Sequence, residues 1–443
     1  MKFRVSHRVP VFPNSTHLSS LHDNQRRHFS SFIRKLRGQA VAQAQASFNG
    51  GSGSSKGDSF LVPGATVATL LMLGALHARR MYDDKKVEEE RGKGIESEFQ
   101  PDLKATFLRF LPLRSMSRCW GYLTSVEIPV WLRPYIYRAW ARAFHSNLEE
   151  AASPLDEYAS LRDFFIRTLK EGCRPIDSDP HCLVSPVDGT ILRFGELKGP
   201  GAMIEQVKGF SYSVSSLLGA SSFLPMVAEG QMEEDEEEPE KTSVSKSKKS
   251  WWRISLASPK VWDPVLSRPM RGLFYCVIYL KPGDYHRIHS PVDWKILIRR
   301  HFSGNLFPVN ERATRTIRNL YVENERVVLE GLWQEGFMAI AAVGATNIGS
   351  IELVIEPKFR TNLQRKRLAH SEPPEERLYD PEGVGIMLRK GDEVGAFNMG
   401  STVVMVFQAP VKKTVDSLSE FKFSVKRGDK IRVGEALGGW QEQ

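Results

Sequence analysis

Cysteine is scarce in this 443-residue chain and poorly placed for chemistry. The four cysteines, Cys119, Cys173, Cys182 and Cys276, form no CxxC pair and stand beside no cluster of histidines. That spacing argues against a structural zinc site and against a disulfide scaffold. Scattered cysteines in a chain of this length read as buried apolar side chains. Also missing is a basic stripe interleaved with aromatics, so the net charge of +9 does not point to nucleic acid. Acids are nearly absent from one end: residues 1–57 contain only Asp23. Much of the positive excess collects there and speaks of targeting. The remainder, in a chain 41% hydrophobic and 26% charged, has a globular composition.

What the acid-poor end does contain is arginine and serine. Arg4, Arg8, Arg26, Arg27, Arg34, Lys35 and Arg37 stand among many serines. This is the composition of an organellar transit peptide, and RRHFSSFIRKLR at 26–37 can form a basic amphipathic helix. A Gly/Ser run at 50–57 reads as a flexible linker. Residues 1–58 are therefore assigned to transit peptide and linker. A single long apolar run follows, FLVPGATVATLLMLGALHA at 60–78, with no acid or strong base before Arg79 and Arg80. It approaches the ~20 residues needed to cross a bilayer, and a transmembrane helix is expected over 59–78. Its orientation stays open, because Lys56 lies on one flank and Arg79, Arg80, Lys85 and Lys86 on the other. Residues 79–100 form a charged linker.

From Pro101 the chain is dense in aromatics. Residues 107–147 hold Trp120, Trp131, Trp140, Tyr135, Tyr137 and Phe144 among arginines, and the pattern predicts two helices broken near Pro129 and Pro134. Such helices suit a membrane surface, and equally a core with snorkelling arginines. Ser153-Pro154-Leu155-Asp156 reads as a helix start, followed by Leu155, Tyr158, Leu161, Phe165 and Leu169 at helical spacing. After Pro175 short apolar runs between Gly and Pro turns predict strands, among them 273–280, 327–329, 338–343 and 402–408. Runs apolar throughout suit strands buried on both faces. The phrase KRGDKIRVGEALGGW from Lys426 resembles the turn-strand repeats of lipoyl/biotinyl-type β-barrels. The expected fold class is α+β: amphipathic helices, then a β-rich catalytic core with a lipoyl/biotinyl-like β-barrel element, all preceded by one transmembrane helix. Residues 231–249, QMEEDEEEPEKTSVSKSKK, have almost no apolar side chain and are expected to be a disordered insertion.

Three segments carry candidate chemistry: Ser185-Pro186-Val187-Asp188-Gly189-Thr190, KPGDYHRIHSP at 281–291, and Asn398-Met399-Gly400-Ser401-Thr402. Each alone is weak. An SPxDG phrase is usually a turn. His286 and His289 lack the cysteines or carboxylates that would complete a metal site, so no metal is assigned. Together, and in this order, the segments resemble the phosphatidylserine decarboxylases. The resemblance extends through RPID at 174–177, QVKGFSYSVSSLLG at 206–219, LFPVN at 306–310, LYVENERVVL at 320–329, VGATNIGSIE at 343–352 and KGDEVGAFNMGSTVV at 390–404. It covers residues 101–443 apart from the charged insertion. The leader picks out the mitochondrial branch.

The residues suit that chemistry in their own right. Decarboxylating an amino acid needs an electron sink on its amine, and no lysine setting of the pyridoxal-phosphate type is recognisable. Gly400 has no side chain to shield its carbonyl, and Ser401 Oγ can attack it if a base is at hand. The resemblance implies that the base is His289, oriented by Asp188, so that Asp188, His289 and Ser401 form the self-cleavage triad. It also implies that Ser401 becomes a covalent pyruvoyl group, which forms a Schiff base with phosphatidylserine. His286 would serve as acid/base in decarboxylation. Cleavage at Gly400–Ser401 would divide the catalytic domain, 101–400 as the β subunit and 401–443 as the α subunit, held together non-covalently. The branch implies a single-pass protein of the mitochondrial inner membrane, in contact with its lipid, with the catalytic domain facing the intermembrane space. A homo-oligomer is left open, and nucleic acid is not expected. Met399 departs from the Leu frequent at that position, a volume-conserving change. Two other readings compete: a membrane-anchored lipid-binding relative without catalysis, and a pyruvoyl enzyme acting on a soluble amino acid.

Overall fold

A computed structural model describes residues 82, 99, 108–198, 202–222, 271–346, 350–363, 373–379, 385–398, 401–411 and 420–440. All of these belong to one unit, His77–Gln443. The expected transit peptide, the span at 59–78 and the insertion at 231–249 lie outside the described residues. Among the described residues, no helix is long and apolar enough to cross a membrane.

The aromatic segment forms α1 (Leu113–Ser125) and α2 (Arg133–Phe144). Pro129 falls in the break between them. Pro134 lies in the first turn of α2, where its missing N–H costs nothing. The helix expected from Ser153 does not form there. Residues 154–157 make a turn, with Glu157 N–H donating to the Pro154 carbonyl at 3.1 Å. The helix α3 (Leu161–Phe165) starts from Ser160 instead. Asp163 N–H donates to Ser160 Oγ at 3.2 Å, and Ser160 N–H donates to Asp163 Oδ2 at 3.1 Å. This reciprocal box satisfies two orphan donors at once, whereas the Ser153 N–H, with Asp156 at the same spacing, donates instead to the Tyr158 hydroxyl at 3.3 Å.

The strands and remaining helices follow in order. The first half supplies β1 (Cys182–Val184), β2 (Gly189–Leu197), β3 (Met203–Val207), β4 (Phe210–Ser213), α4 (Val214–Leu218), β5 (Arg271–Leu280), β6 (Arg287–His289) and β7 (Trp294–Phe302). Next come α5 (Glu311–Thr316), α6 (Leu320–Glu323), β8 (Arg326–Trp333), β9 (Gly336–Val343) and β10 (Ile351–Leu353). The last are β11 (Glu375–Leu378), β12 (Ile386–Leu388), β13 (Glu393–Phe397), β14 (Ser401–Pro410), β15 (Lys422–Phe423), β16 (Lys430–Ile431) and β17 (Ala436–Gly439). The fold is thus β-rich with short helices, as an α+β class requires.

The central antiparallel sheet runs β11-β7-β8-β9-β14-β5-β2-β16, with β12 also paired to β7. Strand β14 lies in its middle, hydrogen-bonded to β5 on one side and β9 on the other. Both faces are covered. Val403, Met405 and Phe407 join one core with Cys276, Ile278, Met338 and Ile340. Val404 and Val406 point the other way, into a core with Tyr275, Val277, Phe337 and Ala341. Two-sided burial explains why these strands read as unbroken apolar runs. The C-terminal phrase is divided between sheets: β16 extends the central sheet, while β17 pairs with β1 and β15.

Candidate active site

The three chemical segments meet at one end of the central sheet. Thr190, Tyr279, Thr402, Val343 and Arg326 pair in a row across β2, β5, β14, β9 and β8. One residue further out, Leu280 pairs with Ser401. Strand β5 ends where its antiparallel neighbours β2 and β14 begin. Asp188 therefore enters the sheet, the 281–285 turn leaves it and Ser401 opens its strand, all at the same edge. Gly189 is needed for this convergence: a Cβ there would lie 2.6 Å from the Tyr279 carbonyl oxygen.

Ser401 is fully buried, and its Oγ has no hydrogen-bond partner among the described residues. Met399 and Gly400 lie outside the described residues. The chain leading to them is clamped at Asn398, whose side-chain amide donates to Ser350 Oγ at 2.7 Å and Glu352 Oε1 at 2.6 Å. Arg162 Nε donates to Asn398 Oδ1 at 3.1 Å.

The turn before the histidines is closed by Asp284, whose Oδ2 accepts from Lys281 N–H at 2.7 Å. His286 is fully buried beneath the Phe165 ring, with centroids 4.2 Å apart. Its Nδ1 lies 2.7 Å from the Asp284 carbonyl. A carbonyl only accepts, so Nδ1 carries the proton and Nε2 keeps a lone pair. That Nε2 is buried without a partner among the described residues. Burial chiefly, with a contribution from the Arg167 charge, pulls the imidazole down to about 3, so it is neutral at physiological pH. His289, on β6, is held in the same tautomer: Nδ1 donates to the Gly391 carbonyl at 2.8 Å. Its Nε2 accepts from the Tyr285 hydroxyl at 3.1 Å. Burial pushes the Tyr285 phenol up to about 12, which keeps it a proton donor.

The Asp188 carboxylate is held by other groups. Its Oδ2 accepts from Arg174 Nη2 at 2.6 Å, and its Oδ1 accepts from Arg174 Nε at 2.9 Å and from Val433 N–H at 2.8 Å. Arg174 reaches Glu150 with the same Nη2, at 2.9 Å. Burial works against this guanidinium, and its two carboxylates still hold its pKa above the ordinary value. Among the described residues, no hydrogen bond joins Asp188 to His289 or His289 to Ser401. The segments converge, but Asp188, His289 and Ser401, the expected triad, are not hydrogen-bonded to one another among the described residues.

Arg174, Tyr285, Gly391 and Arg167 are the site's unexpected members. Arg174 and Tyr285 lay inside matched motifs (RPID and the histidine phrase), so a signal existed for them. The Gly391 carbonyl had none, because a backbone acceptor leaves no trace in residue type. Among the described residues, no group of three or more His, Cys, Asp or Glu side chains could hold a metal ion.

Comparison with known proteins agrees with this arrangement of segments. The chain is 64% identical, over the whole of both sequences, to "Phosphatidylserine decarboxylase proenzyme 1, mitochondrial" of Arabidopsis thaliana. It is 63% identical to the protein of the same name from Oryza sativa subsp. japonica, over 88% of this chain and 91% of that one. A mitochondrial phosphatidylserine decarboxylase proenzyme of Cricetulus griseus is 38% identical over 81% of this chain and 79% of its own. The family model described as phosphatidylserine decarboxylase matches residues 161–439, from α3 to the end of β17. With the motifs gathered at one sheet edge and identity running the full length, the chain belongs to the phosphatidylserine decarboxylase family.

Proposed function

We propose that this chain converts phosphatidylserine to phosphatidylethanolamine and carbon dioxide, through a pyruvoyl group that it makes by cutting itself between Gly400 and Ser401. The observation that carries this reading is Ser401. It is a fully buried serine whose Oγ has no partner among the described residues, opening a strand buried along all ten residues, in a chain whose relatives are named proenzymes. These surroundings fit the group. The strand is held on both sides, and a buried neutral His286 offers an unmet lone pair at the same edge. A pyruvoyl group supplies a ketone that draws electrons from the amine-bearing carbon as carbon dioxide leaves.

The chain's own residues make that group. Ser401 Oγ attacks the Gly400 carbonyl carbon, and an ester replaces the amide. Elimination frees the Gly400 carboxylate and leaves dehydroalanine, whose hydrolysis releases ammonia and leaves the ketone. His289 takes the Ser401 proton on Nε2, once the Tyr285 hydroxyl gives way. Asp188, with Arg174 as its anchor, completes the triad by stabilising the cation that forms. His286, neutral and dry, serves as acid/base in the decarboxylation itself.

The relatives are named mitochondrial, which supports a mitochondrial location. We read the protein as single-pass in the inner membrane through residues 59–78, its catalytic unit facing the intermembrane space. The α1–α2 region leaves Tyr122, Trp131, Tyr135 and Val130 exposed, and this apolar, Arg-bearing face suits a lipid surface. Residues 101–400 and 401–443 remain together as non-covalent subunits. The Gly434 N–H donates to the Ser185 carbonyl and the Ser185 N–H to the Glu435 carbonyl, a pairing that supports a lipoyl/biotinyl-like element at the C-terminus.

Intact mass of the purified protein tests the reading, wild type beside Ser401→Ala, His289→Ala and Asp188→Asn. Wild type should yield a fragment of residues 401–443 lighter than its sequence by one ammonia. Ser401→Ala should stay whole, and the other two should cut slowly or not at all. Efficient cutting by His289→Ala would remove the base assignment. An uncut wild type would turn the reading to a lipid-binding relative without catalysis.

A further inference from the structure

Arg167 is a buried cation that forms no salt bridge among the described residues. It follows α3 and is 4% exposed. Among the described residues its guanidinium makes one long hydrogen bond, Nη1 to the Phe164 carbonyl at 3.4 Å, and it lies 5.1 Å from the Phe164 ring centroid. Its Nε is buried without a partner among the described residues. A guanidinium carries five N–H donors, and burying them unmet is costly. The carboxylates near enough to act on this charge are Glu150 and Asp188. Both are bonded to Arg174. Burial accordingly pulls the Arg167 pKa below its ordinary value.

The unmet cation lies beside the reaction edge. Phe165, two residues earlier, packs on His286. The Ile166 carbonyl accepts from Arg287 Nε at 2.9 Å, which ties this stretch to the histidine strand. The Arg167 charge also helps to hold His286 neutral. A dry guanidinium with open donors next to an unpartnered imidazole is built to receive an anion.

Phosphatidylserine offers two anions, its carboxylate and its phosphodiester. A cation on the carboxylate would stabilise the ground state and oppose loss of carbon dioxide. The phosphodiester keeps its charge from substrate to product, and its two free oxygens match the guanidinium fork. We propose that Arg167 binds the headgroup phosphodiester, an assignment that rests on the decarboxylase reading above. Because that contact is equal in substrate and transition state, its loss should fall on KM and not on kcat.

The test uses self-cleaved enzyme, wild type beside Arg167→Gln and Arg167→Lys, assayed on short-chain phosphatidylserine. Two amines serve as inhibitors. Glycerophosphoethanolamine has the phosphodiester without the carboxylate, and O-methylserine has the carboxylate without the phosphodiester. Arg167→Gln should raise KM by about 10- to 100-fold, the worth of a charged hydrogen bond, with kcat nearly unchanged. It should lose inhibition by glycerophosphoethanolamine and keep that by O-methylserine, with Arg167→Lys in between. Unchanged KM, or selective loss of O-methylserine inhibition, overturns the assignment. So does failure of both variants to cut themselves, which would make Arg167 a structural residue. A wild type that cuts itself yet leaves phosphatidylserine intact sinks the decarboxylase reading, and the phosphodiester assignment with it.

Discussion

His286 and Asp284 share one turn, and burial acts on them in opposite senses. Burial lowers His286 from 6.5 to about 3, against the raising effect of its bond to the Asp284 carbonyl. Burial raises Asp284 from 3.8 to about 6, offset in part by the Lys281 N–H and reinforced by the Asp188 charge. Between pH 3 and 6.5, folded His286 binds fewer protons than the unfolded chain, so its contribution to stability falls as pH drops through that window. Between pH 3.8 and 6, folded Asp284 binds more protons than the unfolded chain, so its contribution falls as pH rises. Where the windows overlap the slopes oppose, each at most about 1.4 kcal/mol per pH unit. Asp284→Asn removes only one of them. In an uncut Ser401→Ala background, the urea midpoint of Asp284→Asn should fall more steeply from pH 6 to pH 4 than that of its parent. Parallel slopes would refute the opposition. The motif residues themselves were legible in the sequence. Their pairing was not: Asp188 takes its backbone donor from Val433, 245 residues away, and no spacing rule reaches that far.

Among the elements, α2 fixes the histidine turn by close contact. A Cβ on Gly283 would lie 1.9 Å from the Phe144 carbonyl oxygen at the end of α2, and 3.3 Å from Ser146 N. The backbone of the turn therefore packs directly on the helix terminus, and only glycine allows it. Gly283→Ala must separate the two, shifting Asp284 and His286 together. Overpacking of this kind costs about 1–3 kcal/mol, so both the melting temperature and the self-cleavage rate should fall. Gly195→Ala on β2 is the control, because its Cβ would meet Tyr275 at an ordinary 3.5 Å. Equal behaviour of the two variants would show that the α2 contact does not position the turn. Strands β5, β9 and β14 were legible because both faces are buried, which leaves an apolar run with no alternation to misread, whereas β7 buries Arg299, Arg300 and His301 and shows no such run. The start of α3 was not legible, because Ser153 and Ser160 are both plausible caps in sequence. Each has an acid three residues on, Asp156 and Asp163, and only the tertiary contacts separate them: Asp163 returns the hydrogen bond to Ser160, while the Ser153 N–H goes to the Tyr158 hydroxyl.

At the scale of the whole molecule, the cut would fall at the edge of the sheet while the strand it releases runs through the middle. Residues 401–410 pair with β5 along their full length, and residues 402–407 pair with β9. Val403, Val404, Met405, Val406 and Phe407 are fully buried, divided between the two cores. At about 1.5–3 kcal/mol for each side chain, their burial stabilises the association by at most roughly 15 kcal/mol, before the ladder hydrogen bonds are considered. Breaking one peptide bond at the end of this strand removes none of those contacts. The two fragments should therefore elute together in native size-exclusion chromatography, even at nanomolar protein, and separate only in denaturant. Val404→Asp should release the C-terminal fragment or prevent folding, because it buries a charge with no partner. Dissociation of the wild-type fragments on simple dilution would mean that β14 is not held as the sheet register requires. The proposed ketone at residue 401 and His286 would then belong to chains that part. Burial of β14 on both faces would thus make the proposed self-cleavage compatible with activity, because the contacts that hold the strand lie beyond the proposed cut.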